Sequence, residues 1–301
     1  MKRFLIRVCV LLLLFIVVDT ILGKAFSYMT THAKDGDFKE SNYICDGSND
    51  DILIFGSSRA GRGISPDIIS DSLGLTCHNC GHDGYGVILN YGRFHLLCQK
   101  RHPKLVIYDI FPVFDLLVND NHKYLMYLKP YYDRKGIPEI FESIDDTEKY
   151  KMLSQLYRFN SLFITTIYNY IPLNSSLNIG FRPVDIEMDP HKTREVAQEE
   201  GILSYDSLKL EYLNKMVELS NSTRFVFVVS PIWYGMDSKT LQPVQDICKE
   251  KGLPLLDFSN YPKYKHNNEF FMDGVHLNAK GASEFSRDLA HELKERRILG
   301  E

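Results

Sequence analysis

The stretch that most constrains the fold is residues 51–63, Asp-Ile-Leu-Ile-Phe-Gly-Ser-Ser-Arg-Ala-Gly-Arg-Gly. Residues 52–55 are an uninterrupted apolar run, which predicts a buried strand of a parallel sheet. The small residues that follow permit a sharp turn into a helix, so Ser58 stands where the strand ends and the helix begins. Backbone N–H groups point outward there and favour developing negative charge, which makes Ser58 a candidate nucleophile. The alternative is that Gly56-Ser57-Ser58 only caps the helix.

A second motif near the C-terminus supplies the partners that such a serine needs. Residues 271–278 read Phe-Met-Asp-Gly-Val-His-Leu-Asn. Asp273 and His276 are three residues apart, and Gly274 lets the chain bend between them. The carboxylate can then reach one imidazole nitrogen while the other nitrogen faces outward. The sequence therefore predicts a catalytic serine, a histidine base and an aspartate that orients the base.

These two motifs resemble those of the SGNH (GDSL-type) hydrolases. In that family the nucleophilic serine follows the first strand in a Gly-Asp-Ser-like sequence, and an Asp-x-x-His stands just before the last helix. Here the motifs are Gly56-Ser57-Ser58 and Asp273-Gly274-Val275-His276, with Ser57 in place of the usual aspartate. The resemblance covers about residues 51–293 and implies an esterase or acyltransferase.

The oxyanion hole is expected from the same resemblance. Asn79 and Gly84 stand at the spacing of the second SGNH block, which implies that the N–H groups of Gly84 and Ser58 hold the oxyanion. The alternative is that Gly84 belongs only to a flexible glycine turn.

A further oxyanion donor of the family is missing from its expected place. The end of the third strand should carry Gly-x-Asn, but the sequence has Asp109-Ile-Phe-Pro. Asn119, in the following loop, is a conceivable substitute that no physical argument selects. Losing one donor costs about 100- to 1000-fold in rate.

The fold class follows from the order of elements along the chain. Apolar runs typical of strands alternate with helical segments, which predicts an α/β fold, a three-layer α/β/α sandwich with a central parallel sheet of the SGNH or flavodoxin-like type. Residues 113–205 are irregular and predict an insertion that either caps the site or thickens the core. Within it, residues 148–157 and 163–170 predict helices, and the charged segment 183–200, with His191, predicts a solvated loop or helix face.

The N-terminus predicts a membrane segment. A basic cluster of Lys2, Arg3 and Arg7 begins the chain, and residues 4–22 are apolar except for Arg7, Asp19 and Thr20. An uncleaved single-pass anchor is the first interpretation, a signal peptide cut near Gly23-Lys24-Ala25 the second, and a buried soluble helix the third. Both leading interpretations place Ser58 and His276 outside the cytoplasm, in the periplasm or the exterior. The expected domains are an anchor or signal segment at 1–25, a linker at 26–50 and a hydrolase domain at 51–301.

The cysteines do not predict a metal or redox site. Cys77-x-x-Cys80 has no second Cys pair or His pair at ligand spacing, so we predict packed thiols, no metal and no cofactor. On an extended strand, two cysteines three positions apart in sequence have Cα atoms that are too far apart in space for a disulfide between them. An extracytoplasmic location leaves open bridges to Cys45, Cys98 or Cys248.

The expected partners are an acylated carbohydrate or lipid and, through the N-terminal helix, a membrane. A net charge of −4 with no basic run argues against nucleic acid. Arg59 and Arg62 either hold an anionic group of the substrate or are surface charges. Trp233 and Tyr234 either line the pocket or pack on the core. The alternative function is a membrane-tethered binding or assembly protein that kept the fold and lost efficient turnover, which the missing amide favours.

Overall fold

The computed structural model describes residues 1–119, 121–171, 180–189, 204–220 and 222–300. The chain divides into two compact units. We call Met1–Asp46 with Leu125–Leu177 the helical unit, and Gly47–Tyr124 with Asn178–Glu301 the sheet unit.

The α-helices over these residues are, in chain order, α1 Lys2–Thr31, α2 Gly36–Asn42, α3 Ser58–Gly63, α4 Pro66–Leu73, α5 Val87–Cys98, α6 Pro112–Asp115, α7 Ile137–Glu142, α8 Glu148–Lys151, α9 Phe163–Tyr170, α10 Ser207–Leu219, α11 Gln242–Lys251 and α12 Ala279–Glu295. Short 3₁₀ helices cover Asn121–Tyr131, Tyr157–Phe159, Ser238–Leu241 and Asn268–Phe270, and a π-helical turn covers Tyr43–Gly47.

A five-stranded parallel sheet organises the sheet unit. Its strands are β1 Ile52–Gly56, β2 Cys77–Asn79, β3 Leu105–Asp109, β4 Arg224–Val229 and β5 Leu255–Asp257, and their order is β2-β1-β3-β4-β5. Every residue of β1 and β3 is buried, because parallel strands are covered by helices on both faces. The predicted α/β fold with a central parallel sheet is confirmed.

The two faces of the sheet carry different helices. Ile54 on one face belongs to a core cluster with Phe285 and Leu289 of α12. Phe55, the next residue, points to the other face and meets Phe94 of α5, with ring centroids 5.7 Å apart. The period of two in a strand thus produces helix, sheet and helix as three layers.

The strand order fixes where a site can form. The chain moves from β1 outward to β2 and then returns to the other side of β1 as β3, so the order reverses between β1 and β3. Gly56 and Asp109, the last residues of these strands, are paired neighbours. A crevice opens at such a switch point, at the carboxyl ends of the strands. With one residue between it and the end of β1, Ser58 begins α3 and therefore lies at this crevice.

Helix α1 dominates the helical unit. An 18-residue window of it has a mean hydropathy of 2.8 and is 6% buried, which meets the length and composition of a membrane span or a signal sequence. The helix continues to Thr31, and α2 follows within the residues expected to be a linker. Asp35 caps α2 and Phe38 is fully buried, so this polar stretch is folded onto its unit rather than extended.

The inserted residues are less helical than their sequence predicts. A helix is expected over 148–157, but α8 stops at Lys151 and only Tyr157–Phe159 forms a further turn. The reason lies in Asp19 of α1, whose carboxylate accepts hydrogen bonds from the Ser154 hydroxyl and from the backbone N–H groups of the two residues after it. Helix α9 forms where expected, whereas His191 lies outside the described residues.

Candidate active site

The structure brings the predicted triad together at the carboxyl edge of the sheet. Ser58 Oγ lies 2.6 Å from His276 Nε2. On the other side of the ring, His276 Nδ1 lies 2.9 Å from Asp273 Oδ2 and 3.1 Å from Oδ1. In the tautomer that these partners favour, Nδ1–H donates to the carboxylate and Nε2 accepts from the serine hydroxyl. This geometry allows His276 to take the proton of Ser58.

The Asp273 carboxylate is held by its own loop. Its Oδ1 accepts the backbone N–H groups of Val275 at 2.9 Å and of His276 at 2.8 Å. Burial alone would raise the pKa of Asp273, but the His276 ring and the two backbone donors lower it below its usual value. The group is therefore a carboxylate at neutral pH and can stabilise a positive charge on the imidazole.

The loop that carries both residues is a tight hairpin closed by backbone hydrogen bonds. The Met272 N–H donates to the His276 carbonyl at 3.0 Å, and Phe271 bridges to Leu277. Asn278 then accepts the Gly281 N–H and caps α12, while its amide donates to the Phe271 carbonyl. The turn is thus fixed at both ends, and the imidazole has little freedom to leave Ser58.

Arg59, the residue after Ser58, is buried and only 3% exposed. Its Nη1 donates to the Val275 carbonyl at 3.1 Å and its Nη2 to the Ser230 carbonyl at 2.6 Å, while the guanidinium lies 4.6 Å from the Phe111 ring centroid. These contacts connect α3, which begins at Ser58, to the loop that carries Asp273 and His276 and to the end of β4. The geometry does not support the expectation that Arg59 binds an anionic substrate group, nor that it is a surface charge.

Asp109, the last residue of β3, is the counter-charge of Arg59. The Arg59 Nε and Asp109 Oδ2 are 3.9 Å apart, and Asp109 Oδ1 accepts both the N–H and the hydroxyl of Ser230. Burial raises the pKa of Asp109, and the Arg59 charge and the Ser230 donors oppose that rise. The end of β3 thus holds a buried ion pair where the motif resemblance predicts an amide donor.

The structure does not support Asn119 as the substitute amide donor. Its amide N–H donates to the Phe114 carbonyl at 2.6 Å, and its oxygen accepts from Lys209 Nζ at 2.8 Å. Both ends of the amide are therefore engaged in holding the loop after β3.

The loop with Gly84 is fastened to the nucleophile helix. Asn79 donates to the Ala60 and Ile64 carbonyls and accepts the Gly81 N–H. Arg62 is paired with Asp83 through two hydrogen bonds, one of them from Nε at 3.3 Å. Arg62 thus has a partner that positions the residue before Gly84, and this partly exposed ion pair fits the expected surface charge and not a substrate contact.

Gly84 meets two conditions for an oxyanion donor. Its φ of +79° is one that glycine adopts readily, and a Cβ there would lie 2.3 Å from the ring of Tyr124. Among the residues that the structure describes, neither the Gly84 N–H nor the Ser58 N–H has a hydrogen-bond acceptor. Two free donors therefore lie on segments that Asn79 and the Arg62–Asp83 pair hold together.

We expect Gly84→Ala to lower kcat for an ester by about 10- to 100-fold, because the new methyl group strains φ and displaces either Tyr124 or the peptide N–H. Steady-state kinetics with an aryl acetate measure the loss. Gly74→Ala is the matched control: Gly74 has a φ of +66° and nothing within 4 Å of an added Cβ. That variant should lose some stability and keep its kcat. Unchanged kcat in Gly84→Ala would remove Gly84 from the oxyanion hole.

Trp233 lies against the histidine loop. Its backbone N–H donates to the Gly274 carbonyl at 3.0 Å, and its indole N–H donates to Asn268 at 2.8 Å. Tyr234 is half-buried and close enough to Arg59 and Asp273 to interact with their charges. These aromatic residues support the triad loop from the β4 side, so their position beside the site is as expected while their contacts are structural.

Cys9, Cys77, Cys98 and Cys248 are free thiols in this structure. Cys80 is buried, and burial raises the pKa of the Cys77 thiol well above its usual value. Such thiols are poor nucleophiles, in keeping with the predicted packed role of this pair.

The fold and the site together define a three-layer α/β protein with a Ser-His-Asp arrangement at the switch point of its sheet. No protein-family model and no curated protein matches the chain. Solved structures to which it is similar include a GDSL-like lipase from Bacteroides thetaiotaomicron, at 10% identity over 91% of this chain and 98% of that chain, with a TM-score of 0.39.

Two carbohydrate-active structures are similar at the same level. One is a family two carbohydrate esterase from Clostridium thermocellum in complex with cellohexaose, 10% identical over 82% of this chain and 65% of that chain, with a TM-score of 0.39. The other is an acetyl xylan esterase from the rumen bacterium Butyrivibrio proteoclasticus, 8% identical over 82% of this chain and 64% of that chain, also with a TM-score of 0.39. GDSL-type and esterase structures are thus among those that the chain resembles, as its two motifs predict.

Proposed function

We propose that the chain is a serine esterase or acyltransferase that acts on an ester outside the cytoplasm. The observation that carries the proposal is the unbroken contact from Ser58 Oγ through the His276 ring to the Asp273 carboxylate. A serine hydroxyl is a weak nucleophile, and an adjacent oriented imidazole is what activates it.

The proposed reaction is acyl transfer. Ser58 Oγ attacks the ester carbonyl carbon while His276 Nε2 takes the hydroxyl proton, and Asp273 stabilises the imidazolium. His276 then gives that proton to the leaving alcohol as the carbon–oxygen bond of the ester breaks. Water or a second alcohol, such as a sugar hydroxyl, next attacks the acyl-serine and regenerates Ser58.

The negative charge that develops on the carbonyl oxygen needs donors. The free N–H groups of Ser58 and Gly84 are the proposed pair, since backbone donors fixed in a folded site stabilise a tetrahedral oxyanion without reorganising.

The substrate class follows from the motif resemblance and from the proposed location. The Ser58 and Asp273–His276 motifs resemble those of enzymes that act on acylated carbohydrates or lipids. We propose α1 as a single-pass anchor, with Lys2, Arg3 and Arg7 on the cytoplasmic side. The acyl or acetyl group would then be carried by a lipid or polysaccharide of the cell envelope, within reach of a membrane-tethered site.

The second candidate function is a binding or assembly protein of the cell envelope with little turnover. The observation that favours it is Asp109, an acceptor with a buried counter-charge where the motif family has an amide donor.

Labelling with a fluorophosphonate separates the two functions, because only a serine activated by its base reacts rapidly with the phosphorus centre. We expect the full chain in detergent to be labelled at Ser58, as located by mass spectrometry, and Ser58→Ala to remain unlabelled. Ser57→Ala is the matched control, since Ser57 is the buried neighbour and should leave labelling intact. A folded wild-type protein that takes no label would favour the binding protein.

A further inference from the structure

Helix α9 of the helical unit exposes its apolar side. Ile164 is 71% and Tyr168 58% exposed, and Ile167 lies on the same face at an interval of three residues from Ile164. Ile171, the residue that ends the helix, is also exposed. Leu153, which precedes this helix in the chain, is 76% exposed. Such a helix face normally carries charged side chains in a protein surrounded by water.

The opposite side of α9 carries the polar side chains of Thr166 and Asn169, and these are turned inward. Thr166 is fully buried. Asn169 accepts the Phe38 N–H through its side chain at 3.0 Å, and its backbone carbonyl accepts the N–H groups of Lys34 and Asp35. These hydrogen bonds hold α9 in this orientation, so its apolar face stays on the outside of the helical unit.

Helix α9 and the residues before it lie along the second half of α1. Gly23 of α1 packs so closely on Gln155 that an added Cβ would lie 2.2 Å from its side chain. Phe26 meets Phe163, with ring centroids 5.0 Å apart, and Tyr28 meets Tyr170 at 6.2 Å. Asp19, the charge within the apolar part of α1, is satisfied here by its three donors.

The length of α1 gives the depth of these contacts in a bilayer. Thirty residues at a rise of about 1.5 Å make a helix of about 45 Å, which matches a hydrocarbon core plus both headgroup layers. The apolar side chains of residues 10–18 are exposed on the protein and would lie in the hydrocarbon core of the bilayer. The level of Phe26 and Tyr28 then falls in the far headgroup layer, where tyrosine side chains are favoured.

We propose that the apolar face of α9, formed by Ile164, Ile167 and Tyr168, is together with Ile171 at the end of the helix a membrane-contact surface that rests on the outer headgroup layer beside the exit of α1. This inference depends on the proposed membrane anchoring by α1. It explains why α9 exposes apolar side chains, because this face lies beside the apolar surface of α1. A bilayer that surrounds the α1 surface also contacts the adjacent face of α9 at the interface. The inserted residues of the helical unit then hold a fixed depth at the membrane instead of following a flexible tether.

The test uses tryptophan quenching by lipids brominated high on the acyl chain. The chain has one tryptophan, so a Trp233→Phe background is silent. Into this background we place Ile164→Trp and Tyr168→Trp on the proposed surface, and Val10→Trp in the apolar part of α1. Asp146→Trp is the matched control, an exposed polar position of the same unit. The full-length proteins are reconstituted into phosphatidylcholine vesicles with and without brominated lipid.

We expect bromolipid to reduce the emission of the Ile164→Trp and Tyr168→Trp variants by about twofold relative to the Asp146→Trp control. Quenching of Val10→Trp without quenching of the two surface variants overturns the surface and leaves the anchor standing. No quenching at any of these positions overturns the anchor and the surface together. A blue shift of Ile164→Trp that grows with protein concentration, and is insensitive to bromolipid, also overturns the proposal, because it would identify a second copy of the chain as the occupant.

Discussion

His276→Ala is expected to lower kcat for an activated ester by about 10⁴- to 10⁶-fold, an effect as large as that of removing the Ser58 hydroxyl itself. The imidazole is in contact with both Ser58 and Asp273, so its removal takes away the base for attack and the acid for the leaving group. KM should change far less, because the ring contacts reacting atoms and not the bulk of a substrate. Burst-phase and steady-state kinetics with an aryl acetate measure both parameters.

Asp273→Asn provides the graded comparison. The Asp273 side chain is 45% exposed, so solvent screens part of its effect on the imidazolium, and we expect a smaller loss, about 10²- to 10⁴-fold. The double variant His276→Ala with Asp273→Asn should be no slower than His276→Ala alone, because aspartate acts through the ring. Additive losses would show that Asp273 has a separate role, and a His276→Ala enzyme near wild-type rate would end the acyl-transfer mechanism.

The triad is open to prediction because each half is a local pattern. Ser58 follows an apolar strand through a small-residue turn, and Asp273 and His276 lie within one hairpin. What joins the halves is the general rule that parallel strands present their carboxyl ends at one edge. The α/β sheet is predictable for the same reason, since residues buried on both faces of a strand leave an unbroken apolar run.

The contacts beneath the site are not predictable in this way, because they depend on which strands become neighbours. Asp109 is visible in the sequence as a departure from the Gly-x-Asn pattern, but nothing local shows that it meets Arg59 of the nucleophile helix and Ser230 at the end of β4. The sequence therefore reveals the absent amide but not the buried ion pair in its place. The folded course of the expected linker is hidden for a related reason, since Phe38 is the one apolar side chain of Gly36–Asn42 and its burial depends on tertiary packing.

The Arg59–Asp109 pair is the feature on which the stability of the site should depend most. Both side chains are almost fully buried, and Arg59 also holds the carbonyls of Val275 and Ser230. A buried pair adds little over an apolar pair of similar size, but removal of one partner leaves an uncompensated charge. Each charge therefore affects stability mainly by compensating the other.

Arg59→Met is expected to lower the free energy of unfolding by about 3–5 kcal/mol at pH 8. Asp109 already has a folded-state pKa above its usual 3.8 because of burial, and loss of Arg59 raises that pKa further. The folded state then binds more protons than the unfolded state between pH 3.8 and the raised pKa, so stability falls as the pH rises through that window. The destabilisation should accordingly be smaller at pH 5 than at pH 8, as measured by urea unfolding followed by circular dichroism.

Two further variants decide whether the charge is the cause. Arg59→Met with Asp109→Asn should recover most of the loss and flatten its pH dependence, because asparagine keeps an oxygen for the Ser230 donors and carries no charge. Arg62→Met is the matched control: its pair with Asp83 is partly exposed, so it should cost less than about 1 kcal/mol. If the double variant is as unstable as Arg59→Met at both pH values, the loss arises from the broken contacts to Val275 and Ser230 and not from a stranded carboxylate. Arg59 would then stabilise the site as a tether between the nucleophile helix and the histidine loop, with Asp109 serving only to accept hydrogen bonds from Ser230.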